Sequence, residues 1–129
     1  MIRAVIFDYG WVLRKVSVQQ DLVDYAASLR EKGIKTAVLS NMIRPVAFIF
    51  RHSPELKKFS PVIISCDVGL AKPDPRIYQM MLEQLNTPAE QCVFIDNRED
   101  NLEAAAKLGI HTIKSHNTQQ IINDINKLF

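Results

Sequence analysis

Five short apolar runs, Ala4–Phe7, Thr36–Leu39, Val62–Ile64, Cys92–Ile95 and Ile110–Ile113, recur along the chain with stretches of helical spacing between them. A run this short that does not alternate with polar residues reads as a strand buried on both faces. Strands that alternate with helices imply a parallel sheet with helices on both sides, because each crossover between parallel strands is right-handed. In such a sheet the working crevice lies at the carboxyl ends of the strands. Three of the runs lead straight into polar residues: Asp8, Ser40 with Asn41, and Asp96 with Asn97.

The intervening stretches carry their own punctuation. Leu22, Val23, Tyr25, Ala26 and Leu29 share one face of a helix expected over Ser17–Lys32, and Gly33 stands where its C-cap belongs. Met42–Arg51 reads as helical, with Pro45 tolerated in its first turn. Asp74–Pro75 pairs a capping carboxylate with proline at the first helical position and starts a helix that runs to about Leu85. Thr87-Pro88-Ala89-Glu90 has the form of a capping box. Glu99–Leu108 is a helix stopped by Gly109, and Thr118–Leu128 a last amphipathic one.

Composition narrows the setting. At 129 residues, 47% hydrophobic and 23% charged, the chain suits one domain over residues 1–129 with a core of its own. The net charge of +2 is too small, and its basic residues too scattered, to suggest nucleic acid. No apolar run approaches the roughly 20 residues of a membrane helix, and the Ile2–Phe7 opening is too short for a secretory segment. Cys66 and Cys92 border apolar stretches, as unpaired thiols of a reducing compartment do. The expected location is therefore cytoplasmic. His52, His111 and His116 lack metal-ligand spacing. Trp11 reads as part of a packed flap or a substrate contact, with packing favoured, and Val46–Phe50 reads as core, with the alternative that part of it faces a partner.

If the first, second and fourth strands are neighbours, Asp8, Ser40, Asn41, Asp96 and Asn97 meet in one pocket. Lys72, in the loop after the third strand, reaches the same edge. A carboxylate there can attack phosphorus or an activated carbon. Free N–H groups at a helix start after Ser40 can receive phosphate oxygens. Lys72 offers a compact charge to nucleophile and phosphate. The oxygens of Asp8 and Asp96 suit Mg²⁺.

These segments match a known family in order and spacing. Val5-Ile6-Phe7-Asp8-Tyr9-Gly10-Trp11-Val12-Leu13 resembles the first motif of the haloacid dehalogenase-like hydrolases, and Val38-Leu39-Ser40-Asn41 the second. Gly69 to Tyr78, with Lys72-Pro73-Asp74-Pro75, is similar to the third, and Val93 to Ala105, with Asp96-Asn97-Arg98-Glu99-Asp100, to the fourth. The likeness spans residues 2 to about 114. It implies a Rossmann-like three-layer fold with a five-stranded parallel sheet. It also implies Mg²⁺-dependent hydrolysis of phosphate esters through an aspartyl-phosphate. In that scheme Asp8 is nucleophile and metal ligand, and Gly10 lends its carbonyl. Ser40, Asn41 and Lys72 hold phosphate, and Asp96 with Asn97 or Asp100 completes the metal site. The substrate is then a small phosphorylated molecule or a phosphorylated macromolecule.

The chain departs from the family pattern at three points. Gly10 stands where typical family phosphatases carry an acid/base aspartate, a group whose general acid catalysis typically contributes 10²–10⁴-fold, although some family phosphatases resemble this chain in having Asp-Leu-Gly at the first motif. Asn97 replaces half of an acidic pair, a loss that Asp100 would have to make good. Only about twenty residues separate Leu13 from the second strand, room for one helix where relatives insert a cap domain. An almost capless site is open to water unless a second copy of the chain covers it. Two other functions accommodate these departures. One is an impaired relative that serves as a binding scaffold, marked by no turnover and no Mg²⁺ binding. The other is a metal-independent 2-haloacid dehalogenase, marked by halide release without Mg²⁺.

Overall fold

The computed structural model describes residues 1–129. Its elements are β1 (Ala4–Phe7), α1 (Gln20–Glu31), β2 (Lys35–Ser40), α2 (Arg44–Phe50), β3 (Val62–Ile64), α3 (Ser65–Val68), α4 (Pro75–Leu85), β4 (Cys92–Asp96), α5 (Glu99–Lys107), β5 (His111–Lys114) and α6 (Thr118–Asn126). The strands form one sheet in the order β3-β2-β1-β4-β5, and every pair is parallel. This is the Rossmann-like α/β fold expected from the alternation.

Alternate residues of each strand feed two cores. Val5, Phe7, Val38 and Ile95 point to the side covered by Leu22, Ala26 and Leu29 of α1 and Ile121 and Ile125 of α6. Ala4, Ile6, Leu39 and Phe94 point to the side covered by Ile77, Tyr78 and Met81 of α4 and Leu102 and Ala105 of α5. The Tyr78 ring meets Phe94 edge-on at 5.5 Å, and its hydroxyl donates to the Asn101 carbonyl at 2.7 Å, tying α4 to α5.

Most of the punctuation acts as the sequence implies. Gly33 takes φ +83° after α1 and Gly109 takes φ +91° after α5, conformations a side chain would resist. Asp74 accepts from the Arg76 N–H at 2.9 Å ahead of Pro75. Between β1 and β2 the chain carries α1 and no other helix. No helix is long and apolar enough to cross a membrane.

Three expectations fail locally. Helix α1 starts at Gln20, not Ser17, because residues 9–18 fold into a tight loop closed by bridges from Arg14 to Gly10 and to Val18. That loop holds Trp11 at φ +63°, a left-handed conformation costing a non-glycine residue roughly 1–2 kcal/mol. Thr87–Glu90 is no capping box: Pro88 offers no side-chain cap, and the Thr87 hydroxyl turns back to the Leu85 carbonyl at 2.9 Å. The reciprocal box occurs instead at Asn117 and Gln120, ahead of α6. Finally, Val46–Phe50 is not core. Only Ala47 is buried, while Phe48 is 85% exposed, because a helix of seven residues at the sheet margin has one face to bury and its apolar residues surround it.

Candidate active site

The register of the sheet sets up the site. Phe7 stands level with Val38 on β2 and with Ile95 on β4. One residue further, Asp8, Leu39 and Asp96 end three adjacent strands at the same height. In-register residues of a parallel sheet share a face, so both carboxylates point the same way. Lys72 spans all three strand ends. Its ammonium donates to Asp8 Oδ1 at 3.0 Å, to the Leu39 carbonyl at 2.9 Å and to Asp96 Oδ2 at 2.9 Å. It also lies 5.3 Å from the centre of the Phe94 ring.

Three protons with three acceptors leave Lys72 none to give a phosphate without releasing a partner. At 5% exposure its charge is spent on two buried carboxylates. The sequence predicts that it serves both Asp8 and a phosphate; in this structure its ammonium is held by Asp8, Asp96 and the Leu39 carbonyl. Its backbone is held by Asn41, whose amide donates to the Lys72 carbonyl and accepts from the Lys72 N–H, both at 3.0 Å. Asn41, expected on the phosphate, thus uses its side chain to fix the lysine loop. Asn41→Ala removes two partly buried hydrogen bonds and should cost about 1–3 kcal/mol in urea denaturation.

Asp96 is fully buried. Its Oδ2 also accepts from the Asn101 amide at 3.1 Å, and its Oδ1 accepts from the Arg98 N–H at 2.9 Å. Asn101 sits in the first turns of α5, facing back toward the strand end; the sequence reading gave it no role. Asp100 turns away from the pocket. It pairs with Arg98 at 3.1 Å on the surface and accepts from the Asn101 N–H, so it does not join the candidate metal ligands.

Asp8, Gly10, Ser40, Asn41, Lys72 and Asn97 all line one pocket of about 520 Å³. Asp8 Oδ1 is taken by Lys72 and by the Tyr9 N–H at 2.9 Å. Its Oδ2 receives no hydrogen bond, and no side-chain polar atom of the chain is both buried and unpartnered, so that oxygen opens to the pocket. The same holds for the Ser40 hydroxyl. The helix start expected just after Ser40 lies further on, however: α2 begins at Arg44, and the Met42 N–H is taken by Ser65 Oγ at 3.0 Å. Burial pushes the Asp8 carboxyl up to about 6; Lys72 pulls it back and the neighbouring Asp96 adds to the rise.

No cluster of three or more His, Cys, Asp and Glu side chains suited to a metal occurs in the chain. The open donors are the second Asp8 oxygen, the Gly10 carbonyl, which receives no backbone hydrogen bond, and the exposed Asn97 amide. An all-oxygen set with one carboxylate fits Mg²⁺, which binds through one or two carboxylates and keeps several waters. Asp96, enclosed and already accepting three hydrogen bonds, sits behind this set as the anchor of Lys72.

Apart from Trp11, for which a substrate contact was one of two readings, the rest of the pocket has no signal in the sequence. Tyr9, Trp11, Arg14, Lys15, Met42, Val46, Phe50 and Arg98 form its outer wall. Trp11 is 61% exposed at the mouth, not packed. Arg14 donates through Nε to the Tyr9 hydroxyl at 2.6 Å and through Nη2 to Glu55 Oε1 at 3.0 Å, and lies 5.2 Å from the Phe50 ring centre. The Tyr9 hydroxyl donates to the same Glu55 oxygen at 2.6 Å. Burial raises the Glu55 carboxyl, but these two donors outweigh it and hold it below its ordinary value. No local pattern announces this wall, because the loop over residues 9–18 and α2 meet only in the folded chain.

The family model for haloacid dehalogenase-like hydrolases matches residues 2–109. Acyl-CoA dehydrogenase family member 10 of Mus musculus is 36% identical over 102 residues, which cover 79% of this chain and 10% of that protein. The phosphorylated carbohydrates phosphatase of Thermotoga maritima is 33% identical over 86 residues, 66% of this chain and 40% of that enzyme. The chain thus spans less than half the length of these curated relatives. Among solved structures, a haloacid dehalogenase-family enzyme of Bacteroides thetaiotaomicron in complex with magnesium and inorganic phosphate has the same fold, with TM-score 0.76 and 17% identity over 90% of this chain and 95% of that one. With a model matching most of its length and the lysine clamp between its first and fourth strands, the chain belongs to the haloacid dehalogenase-like hydrolases.

Proposed function

We propose that the chain is a Mg²⁺-dependent phosphatase that works through an aspartyl-phosphate on Asp8. One observation carries this: a carboxylate with one oxygen held by Lys72 and the Tyr9 N–H and the other open to a pocket. A carboxylate fixed in this way is oriented to attack. A carboxylate oxygen of Asp8 forms a bond to phosphorus as the bond from phosphorus to the substrate oxygen breaks. Water then attacks the aspartyl-phosphate, releasing inorganic phosphate and restoring the carboxylate. Ser40 hydrogen-bonds a phosphate oxygen, and Lys72 stabilises Asp8 in its ionised form. Asp8, the Gly10 carbonyl and Asn97 would hold Mg²⁺, which would supply positive charge against the phosphate oxygens. The phosphatase among the relatives and the magnesium and phosphate in the structural neighbour favour this over the scaffold and dehalogenase functions.

Phosphate release from 4-nitrophenyl phosphate, with Mg²⁺ and again with EDTA, tests the proposal. Turnover should occur with the metal and vanish with the chelator, and acid-quenched protein should carry a phosphate on the peptide that contains Asp8. Activity undiminished by EDTA, or a label elsewhere, refutes it. The pH profile has a defined sign. The nucleophile must be ionised, so kcat/KM should fall as acid protonates Asp8; without metal its carboxyl is raised to about 6, and bound Mg²⁺ would move that fall to lower pH.

A further inference from the structure

We infer that the site is built for aromatic phosphate monoesters, whose oxygen departs as an anion, rather than for phosphorylated sugars. The inference rests on the phosphatase function proposed above and concerns the leaving group. Two independent features carry it.

The first is the supply of protons. The titratable residues lining the pocket are Asp8, Tyr9, Arg14, Lys15, Lys72 and Arg98. Asp8 is the nucleophile, and Lys72 has all three protons committed. The Tyr9 proton is committed to Glu55. Lysine and arginine cations are much weaker acids than a carboxyl group, so at neutral pH they give a proton to a leaving oxygen far less readily. A sugar alkoxide, which needs a proton as its bond to phosphorus breaks, finds no donor suited to the task. A phenolate needs none, because it is stable as the anion.

The second is the wall that meets the leaving group. Beyond the residues that face the phosphate, it consists of Trp11, Met42, Val46 and Phe50 together with Arg14, Lys15 and Arg98. Asp8 is the only carboxylate in the lining, and the carboxylates or amides that would grip a row of sugar hydroxyls are absent from this part of it. The loop backbone accepts a left-handed residue at position 11 and places an indole, largely exposed, at the mouth. Val46 and Phe50, one helical turn apart on α2, line the same pocket. Exposed apolar side chains that flank a reactive pocket are contact surface for an apolar ligand. The cations beside them favour the negative charge that develops on the departing oxygen.

The test compares 1-naphthyl phosphate, acetyl phosphate and glucose 6-phosphate with the Mg²⁺-loaded protein. Acetyl phosphate has a good leaving group without a ring, so it separates leaving ability from ring binding. Naphthyl phosphate should exceed glucose 6-phosphate in kcat/KM by about 100-fold or more. Trp11→Ala should lower the ratio of kcat/KM for naphthyl over acetyl phosphate about tenfold, and Trp11→Phe should restore most of it. Glucose 6-phosphate turned over as well as the aryl ester overturns the inference and leaves the phosphatase standing, as does an unchanged ratio in Trp11→Ala. No turnover of any of the three overturns both.

Discussion

Asp8→Asn is expected to reduce phosphatase turnover by a factor on the order of 10⁴ or more, the scale seen when a covalent nucleophile is removed. The same variant should be no less stable than the parent at about pH 7.5, and more stable if the amide keeps the hydrogen bond from Lys72. The reason is the raised carboxyl of Asp8. A group whose folded pKa lies near 6, above its unfolded 3.8, supports folding while it is protonated and loses that support as pH rises through 6. At neutral pH the parent therefore carries an ionised carboxylate that burial disfavours. The asparagine variant does not, and its advantage is at most about 3 kcal/mol. The advantage should disappear below about pH 4, where Asp8 is neutral in both states. Thermal melts of the two proteins at several pH values, beside their rates, check both halves. A variant that loses activity together with its fold contradicts this account. Stability given up at a reactive centre is a familiar trade.

Lys72→Met should do the opposite to the fold. The ammonium is all that separates two inward-facing carboxylates, of which Asp96 is 0% and Asp8 8% exposed. Breaking a buried charge cluster by removing one partner leaves uncompensated charge and costs about 3–5 kcal/mol. For a chain of this size that is a fall of about 10–20 °C in Tm. The deficit should narrow as pH falls. Without Lys72 the Asp8 carboxyl protonates more readily, so its folded pKa rises further above the unfolded one and acid restores what neutral pH removes. A Tm gap that stays constant from about pH 8 to pH 5 would mean that the lysine stem, rather than its charge, supports the fold. Turnover should be lost as well, since Asp8 would lose the cation that orients it and favours its ionised form.

The two variants probe one physical arrangement from opposite ends. Asp8 and Asp96 are held side by side by sheet register, and a single cation makes that tolerable. Magnesium bound through the free oxygen of Asp8 would be a second cation on the same cluster, so metal should also raise Tm by linkage.

The local sequence was enough to mark the strands that carry the site. Ala4–Phe7 and Cys92–Ile95 are apolar on both faces because both faces are covered, and that pattern needs no knowledge of the partners. Strand ends at Asp8 and Asp96, the proline-led start of α4 and the left-handed glycines after α1 and α5 were legible for the same reason: each is a short-range rule of backbone geometry. The meeting of Asp8 with Lys72 also followed, given the order of elements and the resemblance of four motifs.

What the tertiary structure alone decided is how each polar group is used. Lys72 proved saturated, Asn41 proved to be its clasp, Asp96 was sealed behind it by Asn101, and Asp100 turned outward to Arg98. Trp11 and α2 came to line the mouth with apolar surface that the sequence had assigned to packing. Hydrophobic period and capping residues depend on neighbours within a turn or two of chain. Hydrogen-bond saturation and exposure depend on atoms brought together across intervals as long as the 64 residues from Asp8 to Lys72, and no local pattern encodes those distances.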